Sequence, residues 1–121
     1  MGLDMYAFIT RTPVSPVDFK APEDSQEIAY WCKHPDLHGW MAGRYFEKGG
    51  NDPRFNCNTL RLDADDLDAL EKAVNENSLP HTTGFFFGDS DPERIDEDRE
   101  FILKAREALA AGYLVFYDSW W

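Results

Sequence analysis

The chain has 121 residues, and 23 Asp and Glu against 12 Lys and Arg give it a formal charge of −11. That length makes one domain, able to bury about two thirds of the surface its unfolded chain exposes, and 43% hydrophobic with 29% charged residues is a globular balance. The charge excludes a surface that grips nucleic-acid phosphates, which needs clustered Lys and Arg, and it disfavours docking on an anionic membrane.

Residues 3–10 are rich in strand formers and apolar on both parities, which predicts a well-buried strand. Residues 11–27 carry Pro13, Pro16 and Pro22 and read as a long loop, followed by a strand over residues 28–32. Pro35 disfavours helix at His34, and Asp36 is placed to cap a helix through Phe46 with Leu37, Trp40, Met41 and Tyr45 on one face. The cluster Gly49-Gly50-Asn51-Asp52-Pro53 ends it. Residues 55–62 read as a third strand. Asp63 then caps a helix over residues 64–76, with Leu67, Leu70 and Val74 inward and an Asp68–Lys72 pair outward.

Residues 85–87 predict a short strand or a buried loop, and Asp91 caps a long helix from Pro92 that buries Ile95, Ile102, Ala105 and Leu109. Gly112 sits where a helix ends, and residues 113–117 form a last strand. That five-residue apolar run is far below the roughly 20 residues of a membrane-spanning helix. Helices and strands mix without a βαβ rhythm. The expected architecture is therefore a single α+β domain over residues 1–121, a mostly antiparallel sheet of about four strands with about three helices. The first residues lack a basic stretch and include Asp4, unlike a secretory leader. A cytoplasmic location is expected, with Cys32 and Cys57 as reduced thiols.

The acids are uneven. Residues 63–76 and 89–100 each carry a net −5, nearly the whole charge of the chain. Both segments start helices, where carboxylates suit the positive dipole end. An acidic face that meets a basic partner protein, or that imitates the phosphates of DNA, is the functional counterpart.

His34 and His38 have metal spacing, and Cys57 could add a thiolate. Pro35 interrupts the turn between them, and four ligands in paired spacing are missing, so no metal is expected. No phosphate loop and no G-x-G-x-x-G occurs, so no cofactor is expected either. Cys57 with a histidine is the one nucleophile arrangement to propose. Asp4, inside an apolar strand, must find a donor, as a structural group, a general base or a ligand contact. Trp120 and Trp121 either close the core or form a partner patch, which raises the prospect of a homodimer.

Several blocks carry a resemblance: Gly2-Leu3-Asp4-Met5-Tyr6, Tyr30-Trp31-Cys32-Lys33-His34, His38-Gly39-Trp40, Asn56-Cys57, Leu79-Pro80, the segment from Gly84 to Gly88, and Tyr117 to Trp120. Over nearly its whole length the chain resembles a group of small uncharacterised proteins of phages, prophages and bacterial genomes. Relatives often have Arg where this chain has Cys32, which weakens a metal site using that thiol. The group brings no activity. A phosphoglycerate kinase label borne by some members does not fit a chain this short. The resemblance implies a site formed by Asp4, Tyr30, Trp31, Lys33, His34, His38, Trp40, Asn56 and Cys57, converging on one aromatic, partly polar pocket. The expected function is an accessory binding protein whose partner is a basic host protein or a small ligand. The alternatives are a small enzyme or ligand-binding domain using an Asp/His/Cys pocket, and an acidic DNA-mimic inhibitor.

Overall fold

In strand β1 (Asp4–Thr10) Met5 and Ala7 are fully buried, while Asp4, Tyr6 and Phe8 are only half-buried. Successive side chains of a strand point to opposite faces, so one face of this strand enters a core and the other does not. The computed structural model describes residues 2–83 and 94–121. Its elements continue with β2 (Gln26–Cys32), α1 (Pro35–Glu47), β3 (Leu60–Leu62), α2 (Ala64–Asn75), α3 (Ile95–Ala110) and β4 (Leu114–Trp120). The four strands form one antiparallel sheet in the order β2-β1-β4-β3. The expected α+β class is what the chain adopts.

The core lies on one side of the sheet. Met5, Ala7, Trp31, Val115 and Tyr117 meet Leu37 and Met41 of α1, Leu67 and Leu70 of α2, and Phe101 and Ala105 of α3. Phe116 is also fully buried, but it stands outside that cluster. It lies opposite Phe8 in the register, on the other face, under Phe19 from the 11–25 loop. That loop bridges Val17 to Leu60 and covers one end of the face. The rest of the face carries no helix. A bulge interrupts edge strand β2: Ala7 faces Ala29 and Phe8 faces Glu27, which leaves Ile28 as the extra residue.

Several expected boundaries move. The third strand shrinks to Leu60–Leu62, because Phe55 and Cys57 take left-handed backbone (φ 45° and 63°) that cannot continue a strand. Helix α1 starts at Pro35 rather than after Asp36, since proline tolerates the first position where an N–H has no partner anyway. Asp36 instead accepts the Thr82 N–H at 3.0 Å. Strand β4 runs on to Trp120 because β1 pairs with it along its whole length. The strand at 85–87 and the cap at Asp91 lie outside the described residues. Helix α3 closes as expected at Gly112, whose φ of +92° suits glycine.

Asp63 caps α2 reciprocally: its carboxylate accepts the Asp66 N–H at 3.0 Å, and the Asp66 carboxylate accepts the Asp63 N–H at 2.9 Å. Buried Asp66 also pairs with Lys48 and, at 3.6 Å, with Arg44. Asp68 bonds Arg106 of α3 at 2.8 Å in place of the expected Lys72, and Asn75 accepts from Arg99 at 3.1 Å. These contacts make α2 and α3 antiparallel, so their acidic first turns sit at opposite ends of the pair. No helix among the described residues is long and apolar enough to cross a membrane. Asp63→Ala removes one half of the box, and a urea titration should show a loss of about 1 kcal/mol with an unchanged m-value.

Candidate functional site

The residues expected to converge divide between the two faces of the sheet. On the helix side, Asp98 of α3 is the organising acid. It is 2% exposed and accepts the Trp31 indole N–H at 3.2 Å and His34 Nε2–H at 3.0–3.1 Å. A buried carboxylate needs such donors. The result ties α3 to β2 and to the start of α1. His38 stands one turn further along α1, with Nδ1 2.7 Å from the Tyr117 hydroxyl and its ring stacked on Phe55 at 5.0 Å. Burial pulls its pKa from the ordinary 6.5 down to about 4, so it is neutral near pH 7. Burial also pushes the Tyr117 phenol far up. The two histidines therefore serve different partners. Among the described residues no three His, Cys, Asp or Glu side chains gather as metal ligands do.

The other face holds Asp4, Tyr30 and Cys57. Tyr30 donates its hydroxyl to Asp4 at 2.7 Å, and that bond pushes the phenol well up. The donor that Asp4 requires is thus a tyrosine on the neighbouring strand. Asp4 lies opposite Trp120, two pleats from Phe116 and out of phase with Tyr117. It therefore faces away from His38, and the single nine-residue pocket does not form. Cys57 lines a depression with Asp118 and Trp120. Desolvation and the Asp118 carboxylate raise its thiol pKa, which is the reverse of nucleophile activation. Its proposed histidine partner is across the sheet.

The remaining expected residues act locally. Lys33 is exposed at φ 57°, with its N–H on the Leu3 carbonyl at 2.8 Å. Trp40 lies under the Arg44 guanidinium at 5.2 Å. The Asn56 amide donates to the Trp121 carbonyl at 2.7 Å and accepts the Trp121 N–H at 3.1 Å, replacing a strand rung.

What the sequence reading passed over is the helix-free face itself. Tyr30, Tyr6, Phe8, Phe116 and Phe19 form a continuous aromatic row with successive ring centroids 5.3, 6.0, 5.1 and 5.1 Å apart. Trp120 is 66% exposed beside it and Tyr30 48%. Asp4, Glu27 and Asp118 border the row. Burial and then these three carboxylates together raise the Tyr6 hydroxyl pKa, which places all three around one ring. Ion pairs among the described residues occupy the helices and turns, and none uses Asp4, Glu27 or Asp118. The signal was the even parity of Asp4-x-Tyr6-x-Phe8 and of Phe116-x-Asp118-x-Trp120, a shared face of aromatics and acids.

Comparison with protein-family models, with curated proteins and with solved structures finds no match to this chain.

His38 gives a pH test. The unfolded chain takes up a proton near pH 6.5 and the folded chain only near 4, so stability falls as the pH drops through that interval, by about 3 kcal/mol. His38→Gln should show a correspondingly shallower loss when unfolding free energy is measured between pH 7 and pH 4.

Proposed function

We propose that this is an accessory binding protein that presents the helix-free face of its sheet to a basic protein partner and, on the resemblance to phage and prophage proteins, that the partner is a host protein met in the cytoplasm. The observation that carries the reading is the aromatic row bordered by three carboxylates with no basic partner among the described residues. Exposed aromatics supply contact area at low entropic cost. Unpaired acids beside them favour a cationic surface and repel the phosphates of nucleic acid.

Two observations weigh against the alternatives. An Asp/His/Cys active site needs Asp4 and Cys57 within reach of His38, and the sheet separates them. A DNA mimic needs its acids on one continuous face. Here Asp66 and Asp98 are buried in structural bonds, Asp68 and Glu71 pair with Arg106, and the two acidic helix starts lie at opposite ends of an antiparallel pair.

The test is a titration of the isotope-labelled protein with a short lysine-rich peptide, followed by amide NMR shifts. Shifts should cluster at Tyr6, Tyr30, Asp118 and Trp120 and weaken with added salt. The combined Asp4→Asn, Glu27→Gln and Asp118→Asn variant should lower affinity about tenfold or more, whereas Asp65→Asn with Glu76→Gln, at the two ends of α2, should leave it unchanged. Loss of binding in the α2 variant alone, or no shifts on the sheet face, would overturn the reading.

A further inference from the structure

The depression at one end of this face has a more specific shape than a charged surface needs. Tyr6, Phe8, Glu27, Cys57, Asp118 and Trp120 line a hollow of about 320 Å³. Its floor is aromatic: the Tyr6 and Phe8 rings lie 23° from parallel, with centroids 6.0 Å apart. Its acids come from both sides. Asp118 stands across from Tyr6 on β4, and Glu27 stands across from Phe8 on β2. Neighbouring strands are about 4.8 Å apart and a two-residue step along a strand is about 6.8 Å, so the two carboxylate-bearing positions flank the aromatic floor on a diagonal of about 12 Å. Asp118 is half-buried. It accepts the Ser119 N–H at 2.8 Å through Oδ1, and among the described residues no Lys, Arg or His pairs with it.

Resting on the reading above, we propose that this hollow is a recognition pocket for an arginine side chain of the basic partner, with the guanidinium packed against the Tyr6 and Phe8 side chains, bonded to Asp118, and Trp120 closing over its outer face. Three features select arginine over lysine. A guanidinium is planar and stacks on aromatic faces, whereas an ammonium is a compact, strongly hydrated charge. A partly buried carboxylate accepts the weakly hydrated cation at the smaller desolvation cost. The guanidinium fork can bond Asp118 while its remaining N–H groups point toward Glu27. Burial raises the Asp118 carboxyl pKa in the free protein.

The probes are N-acetyl-arginine amide, its neutral isostere N-acetyl-citrulline amide and N-acetyl-lysine amide, read by the NMR shifts of the Trp120 indole N–H and the Asp118 amide. The arginine compound should give saturable shifts at both, with citrulline about tenfold weaker and lysine between them. Asp118→Asn, with its fold checked by the dispersion of the remaining amides, should abolish saturation. Glu27→Gln, on the exposed rim, should weaken it only a few-fold. Equal responses to arginine and citrulline, or no saturation with arginine, would overturn the pocket. If the lysine-rich peptide still maps to the sheet face in that case, the binding-face reading stands without it. Shifts at Tyr30 and Trp120 that depend on protein concentration alone would make the face a contact between two copies and would overturn both.

Discussion

Side-chain alternation along a strand, combined with three helices packed on one side of the sheet, governs this molecule. Every odd residue of β1 from Met5 onward enters the core, and the even residues Asp4, Tyr6 and Phe8 must live where no helix covers them. The same parity runs through β4, which buries Val115 and Tyr117 among the helices and sends Asp118 and Trp120 the other way. Asp98 fastens this arrangement from the helix side, since its two donors belong to β2 and to the residue before α1. Without those two donors α3 would leave the Asp98 carboxylate uncompensated in an apolar layer.

The acidity of the chain is divided by the same geometry into groups with different fates. Asp66 and Asp98 are structural and buried, and each is satisfied by several donors. On the exposed sides of α2 and α3, Asp68 and Glu71 pair with Arg106, Glu97 with Arg94 and Glu100 with Lys104. The third group, on the sheet face, lacks such partners among the described residues. A net charge of −11 therefore says less about function than the position of three carboxylates does.

Much of the fold was legible in the sequence because its signals are local. Asp63 announces a cap, Leu67, Leu70 and Val74 repeat with helical period, and Gly112 follows the last turn of α3. The third strand misled because Phe55 and Cys57 have strand-forming side chains, while their backbones are held left-handed by contacts distant in sequence, including the Cys57 N–H on Ser119. The expected pocket failed for a related reason. Asp4, Tyr30 and Trp31 are close along the sheet, but adjacent residues of one strand face opposite ways, so Tyr30 and Trp31 belong to different surfaces. Asp98 was hidden in a run of acids, where nothing local distinguishes the one that turns inward. The aromatic face was visible as parity, yet an apolar strand with an acid in it reads first as core.

The bulge at Ile28 has a consequence for how the protein survives in a crowded solution. Strand β2 is an edge, and a regular edge offers a ready template for another extended chain. The extra residue breaks the even spacing of hydrogen-bonding groups and twists the strand locally. Glu27 beside it adds a charge that a stacking neighbour of the same sequence would have to oppose. The molecule can thus display tyrosines and a tryptophan on its open face while the rim beside them discourages edge-to-edge growth of the sheet into fibrils.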